Sequence, residues 1–99
     1  MAAAHLRIYT INKGQMDSWL DLFHSKLIPV LHEAGFGVSS SWVNDLGTQF
    51  IWIRTCDQLE DIPKLEEKFY GSDWWQANVD YVRSHVAHRE IVVMTSTGD

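Results

Sequence analysis

With 99 residues, the chain has room for a single domain spanning 1–99, with one core and no second module. A hydrophobic fraction of 45% and a charged fraction of 21% exclude a disordered chain. The 13 Asp+Glu against 8 Lys+Arg, for a formal charge of −5 with no basic run, argue against nucleic acid and anionic membrane surfaces as partners.

The single cysteine, Cys56, rules out an intrachain disulfide and a Cys-rich metal site, and it fits a reducing compartment. Met1-Ala2-Ala3-Ala4 has no apolar core long enough for a signal peptide, and no stretch approaches a membrane span. A cytoplasmic protein is expected. Five tryptophans in so short a chain are unusual, and each brings a large apolar surface that suits either core or ligand wall.

The first strand is predicted at His5-Leu6-Arg7-Ile8-Tyr9-Thr10-Ile11, where Leu6 and Ile8 share one face and His5, Arg7, Tyr9 and Ile11 the other. Asn12-Lys13-Gly14 reads as a turn. From Gln15 to Ala34 the apolar residues Met16, Trp19, Leu20, Phe23, Leu27, Val30, Leu31 and Ala34 fall at helical spacing. Pro29 removes the amide bond to Ser25 and is expected to kink this helix or tighten its last turns, with Gly35 as C-terminal cap.

Phe36 to Val43 is the predicted second strand, with Trp42 near its end, followed by hairpin chemistry at Asn44-Asp45-Leu46-Gly47. Gln49 to Thr55 is the third strand; Ile51 and Ile53 face one way and Phe50, Trp52 and Arg54 the other. Asp57 to Tyr70 carries Leu59, Ile62, Leu65 and Phe69 as a second amphipathic helix, with Pro63 in its first turn and Asp61 as cap. Ser72 caps a further helix through His85, Arg89 to Thr95 is the last strand, and Ser96 to Asp99 is expected to fray.

The order is β-α-β-β-α-β, with the last helical region in two pieces. It predicts an α+β, ferredoxin-like domain: a four-stranded antiparallel sheet with helices on one face. The aliphatic face of Leu6, Ile8, Ile51 and Ile53 suits the helices. The face carrying Arg7, Tyr9, Trp42, Phe50, Trp52 and Arg54 is then left open, and a soluble monomer rarely leaves such a patch in water. Pairing two such sheets in a homodimer covers it.

Leu6-Arg7-Ile8-Tyr9-Thr10 followed by Gly14, Pro29, Gly35-Phe36, Trp42, Gly47, Trp52 with Arg54, and Asp73-Trp74-Trp75-Gln76-Ala77 run in a characteristic order and spacing. On these residues, which span Leu6 to about Val93, the chain resembles the NIPSNAP family of dimeric α/β-barrel proteins. An arginine usual in the family soon after the third strand has no counterpart between Asp57 and Lys64. The resemblance implies a barrel-like dimer with a cavity between sheet and helices. The wider fold includes cofactor-free monooxygenases of polyketide pathways, lactone isomerases, small cyclases and haem-degrading enzymes, and fold alone does not choose among them.

Arg7 and Arg54 are candidates to hold a carboxylate, enolate or phenolate by bidentate hydrogen bonds; the alternative is an internal ion pair with Glu90 or another buried acid. Tyr9 is placed to donate to a developing oxyanion or act as general acid, or simply to pack with a satisfied hydroxyl. Trp42, Phe50 and Trp52 make a flat slot for a planar ligand, or fill a dimer core. Of the neighbours Trp74 and Trp75, which point about 100° apart on a helix, Trp75 is assigned to the pocket.

Among the histidines, His5, His24 and His85 are each chemically suitable as a base; His24 at the edge of the buried stripe is assigned to the catalytic set, His5 lies at the pocket rim, and His32 falls toward solvent. His85 and His88 have i,i+3 spacing but no carboxylate or third histidine to complete a metal pattern, so no metal site is assigned. Neither GxGxxG nor a Walker pattern occurs, and no organic cofactor is expected. Ser39-Ser40-Ser41 lacks the setting of a hydrolase nucleophile, and the acidic surroundings of Cys56 disfavour a thiolate.

The expected function is a cofactor-independent cyclase, isomerase or monooxygenase acting on an aromatic or polyketide-like molecule by proton abstraction and enolate stabilisation. The alternatives are a non-catalytic binding protein with the same pocket, and an interaction module whose aromatic face serves only dimerisation.

Overall fold

A computed structural model describes residues 1–98. The strands are β1 (Ala3–Ile11), β2 (Gly37–Val43), β3 (Gln49–Cys56) and β4 (Val86–Thr95), and they form one antiparallel sheet in the order β2-β3-β1-β4. The helices are α1 (Met16–Leu22), α2 (Ile28–Ala34), α3 (Ile62–Tyr70) and α4 (Asp73–Arg83), and they cover one face of the sheet. This is the expected ferredoxin-like α+β arrangement, with β4 starting three residues earlier than predicted.

The central strands β1 and β3 alternate strictly, but the helices take the face opposite to the one expected. In β1, Ala3, His5, Arg7, Tyr9 and Ile11 are buried; in β3, Phe50, Trp52, Arg54 and Cys56 are. Leu6, Ile8, Ile51 and Ile53 lie on the uncovered face and are only half-buried. Ring size decides this: Tyr9, Phe50 and Trp52 meet Trp19 and Phe23 from the helices in edge-to-face contacts with centroids 4.7 to 5.7 Å apart. Such contacts add about 0.5–1.5 kcal/mol per pair beyond the area they bury, which four aliphatic side chains do not match.

Trp42 departs from its predicted face because of a bulge. Val38 opposes Arg54, but Ser40 opposes Ile53, so one extra residue inverts the alternation of β2. Trp42 therefore opposes Ile51 on the uncovered face, 65% exposed.

The first helix is not continuous. A π-helical segment, Phe23–Leu27, separates α1 from α2, and Pro29 follows at the start of α2. Proline's ring crowds the carbonyl four residues back, here Ser25, and the wider π turn relieves that contact. Gly35 ends α2 as predicted at φ +109°, its amide donating to the Leu31 and His32 carbonyls. A 3-10 turn, Leu59–Asp61, leads into α3, with Pro63 in its first turn; Asp61 stands at the cap position, but its side chain caps nothing. Ser72 does cap α4, its Oγ accepting from the Trp75 amide at 3.2 Å. Ser96 is tied down rather than frayed, its amide donating to the Ala2 carbonyl, while Asp99 lies outside the described residues.

Candidate functional site

Between the sheet and its helices lies a cavity of about 430 Å³. Its helical wall is a row at spacing four: Trp19, Phe23, Leu27 and Leu31. In an unbroken α-helix, residues four apart drift by about 40° per step, so the ends of this row would diverge by about 120°. The π segment turns less per residue and keeps all four on the cavity side. Phe69, Tyr70 and Trp75 close the wall from α3 and α4, with the Trp75 ring 5.0 Å from Phe69 and 5.2 Å from Tyr70.

The sheet contributes Arg7, Tyr9, Trp52 and Arg54. Arg7 is 3% exposed, and its Nε donates to Tyr9 Oη at 2.7 Å. Its guanidinium sits 5.6 Å from the Tyr9 ring centroid and 5.7 Å from that of Trp52. Among the described residues no carboxylate pairs with it, and its two terminal nitrogens have no hydrogen-bond partner. Burial works to lower the Arg7 pKa. The nearby Tyr9 and Tyr70 oxygens and the Glu66 charge outweigh burial and hold it above its ordinary value, so the group is a cation. Tyr9, having accepted from Arg7, retains its own proton to donate.

Arg54 is equally buried, but its charge is paired, although its Nε has no acceptor among the described residues. Its Nη2 donates to Glu66 Oε2 at 2.7 Å and to His5 Nδ1 at 2.6 Å, and its guanidinium stacks over Phe36 at 4.1 Å. An ion pair thus exists, but with Glu66 and not Glu90, which is exposed. Since arginine can only donate, His5 Nδ1 accepts and the imidazole is neutral with its proton on Nε2. Burial, then the charges of Arg54 and Arg7, lower the His5 pKa, against a smaller opposing pull from Glu66.

Arg7, Tyr9, Trp52, Arg54 and Trp75 therefore line one cavity, and the other four assigned residues do not. Phe50 is core, packed behind Trp19 and Phe23; His5 is buried behind Arg54 and does not reach the cavity. Trp42 is on the far side of the sheet. His24 is exposed, because it follows inward-pointing Phe23 and so projects away from the cavity. His85 is buried and engaged: Nδ1 donates to the Tyr81 carbonyl at 2.9 Å, and Ser18 Oγ lies 2.9 Å from Nε2. Burial pushes the Cys56 thiol pKa up, and Sγ donates to the Gln58 carbonyl. Trp19 Nε1 and Trp52 Nε1 are buried donors without an acceptor among the described residues.

Residue-type patterning overlooked Glu66, Tyr70, Arg83 and Arg89. The i,i+4 row beginning Trp19-Phe23 was the signal for the helical wall. For Glu66 the signal was weaker: it is one of two adjacent acids, with Glu67, on the α3 turn that follows buried Ile62. At the rim, β4 carries a bulge between its pairings with Thr10 and Ile11, and Ala87 and His88 border the cavity there.

No protein-family model matches the chain, and no curated protein does. Solved structures do. A NIPSNAP family protein from Agrobacterium tumefaciens superposes with a TM-score of 0.87 at 22% identity, covering 97% of this chain and 86% of that one. An uncharacterized NIPSNAP domain protein from Burkholderia xenovorans gives 0.85 at 18%, covering 96% and 94%. SnoaB, a cofactor-independent oxygenase from Streptomyces nogalater, gives 0.74 at 9%, covering 99% and 95%. The chain has the fold of NIPSNAP family structures, one it shares at greater distance with a cofactor-independent oxygenase.

Proposed function

We propose that the cavity binds a planar, oxygen-bearing anion, and that it is the reactive centre of a cofactor-independent cyclase, isomerase or monooxygenase acting on an aromatic or polyketide-like substrate. One observation carries this reading: Arg7 is a buried cation with free terminal nitrogens and no acid partner among the described residues, in a cavity walled by aromatic rings. A buried charge without a counter-ion costs several kcal/mol, and an anionic ligand removes that cost. The Arg7 guanidinium and the Tyr9 hydroxyl together stabilise an enolate or phenolate oxygen, lowering the acidity threshold at which the substrate ionises. The proton then passes to water, and the electron-rich carbon framework is left facing Trp19, Phe23 and Trp52. The likeness to the Streptomyces oxygenase supports an enzyme of this kind.

A second reading, binding without turnover, is favoured by one feature. No carboxylate lines the cavity among the described residues, and its one bordering histidine, His88, is exposed and 3.6 Å from Glu90. The two readings separate experimentally. Planar aromatic acids and 1,3-diketones should quench tryptophan fluorescence saturably, and the bound diketone should show the ultraviolet band of its enolate at a pH where the free compound is neutral. A shifted ionisation with product formation supports the enzyme; shifted ionisation without product across the panel supports the binder. Saturable binding of neither class sinks both.

We also propose that a second copy of the chain covers the open face of the sheet. Leu6, Ile8, Ile51 and Ile53 form an apolar band there, flanked by exposed Trp42 and Val92. Two such faces packed together make a barrel of the kind the resemblance implies. The cavity itself is built within one chain.

A further inference from the structure

All the arginines of this acidic chain, Arg7, Arg54, Arg83 and Arg89, line the same cavity, and no lysine or carboxylate does so among the described residues. Arg54 is neutralised by Glu66, and Arg7 faces the inner anion on the reading above. Arg83 and Arg89 remain. Both are exposed, and neither forms an ion pair among the described residues.

They reach the rim from different elements. Arg83 stands in the last turn of α4, and Arg89 lies on β4 just past the bulge. Arg89 opposes Tyr9 and Ile91 opposes Arg7, so Arg7 and Arg89 are diagonal neighbours on one sheet face. That relation sets their Cβ atoms roughly 7 Å apart, about the width of one aromatic ring with its substituents. The wall near them is apolar and aromatic: Tyr9, Trp75, Val82 and Val86. One cation is thus buried beside a hydroxyl, Arg89 stands about a ring's width from it on the same sheet face, and Arg83 lines the same cavity from α4.

We propose that Arg83 and Arg89 form an outer anion subsite, and that the cavity takes a planar aromatic bearing two acidic groups, one on Arg7 and Tyr9 and the other on the outer pair. This rests on the anion reading above and narrows it to a substrate class. A single-sided acid leaves the outer cations hydrated and gains nothing from them. A diacid of matching length engages both ends with its ring against the aromatic wall.

Calorimetric titration of the wild-type protein with benzoate and with terephthalate tests it. Terephthalate should bind about three- to tenfold more tightly, the gain expected of a charge-assisted contact discounted for exposure. Arg83→Gln and Arg89→Gln should erase that preference and leave benzoate affinity within about twofold, while Arg7→Met weakens both acids. Equal affinity for the two acids in the wild type overturns the outer subsite and leaves the anion reading standing. So does an equal loss for both acids in the rim variants, which marks long-range attraction only. Failure of both acids to bind overturns the two together.

Discussion

Arg7→Met separates a ligand-binding guanidinium from a structural one. In the folded chain Arg7 makes one hydrogen bond, Nε to Tyr9 Oη, and stands near two ring faces. The charge-assisted bond contributes about 1.5–3 kcal/mol and the ring contacts about 0.5–1 kcal/mol each. Against them stands the cost of desolvating a guanidinium with no carboxylate, several kcal/mol, eased where the cavity admits water. The opposing contributions are of similar size, and methionine fills the stem volume. The variant should therefore unfold within about 1 kcal/mol of wild type, in urea or by heat, while its affinity for an aromatic acid falls about tenfold or more. A loss above about 3 kcal/mol, some 12 °C or more in a domain of this size, would show that the guanidinium holds the fold, and the pocket assignment would be wrong.

Glu66→Gln should cost more than Arg7→Met, about 1–3 kcal/mol, because it strands the Arg54 charge; one-third exposure of the Glu66 side chain keeps the cost below that of a fully buried pair. The double variant with Arg54→Met should recover most of it in a denaturant series, and a cycle without coupling would contradict the pairing. His5 has its pKa lowered in the folded state, so the unfolded chain takes up its proton at higher pH. Its stabilising contribution is whole above about pH 6.5 and declines as the pH falls below that value, as the charged ring meets Arg54 and Arg7 with only Glu66 opposing. The urea midpoint should therefore fall less in His5→Gln than in wild type on acidification below that pH, and parallel profiles would refute the assignment. Ile8→Lys, on the open face, should convert a dimer to a folded monomer in sedimentation at micromolar concentration; a monomeric wild type would remove the case for a covering partner.

The sequence alone determined the element order, and with it the topology, because β1 and β3 kept a two-residue period, turn residues marked the breaks, and each helix kept its own spacing. It also specified that Arg7, Tyr9, Trp52 and Arg54 share a face, since alternation in β1 and β3 is unbroken and their register pairs Arg7 with Trp52 and His5 with Arg54. It could not say which face the helices would cover. Both faces are apolar enough to bury, and the choice lies in long-range ring packing against Trp19 and Phe23. Nor could it orient Trp42, because a single bulged residue in β2 leaves no mark on the hydrophobic pattern and yet reverses every side chain beyond it. The π segment escaped for a similar reason: its signal, four large residues at spacing four, reads as an ordinary helical stripe until the turns are counted. Glu66, Arg83 and Arg89 joined the site only in three dimensions, since nothing local ties a helical acid to a strand arginine, or a rim arginine to a cavity floor. Local periodicity is written residue by residue, whereas partnership between distant side chains is settled by how the layers close over one another.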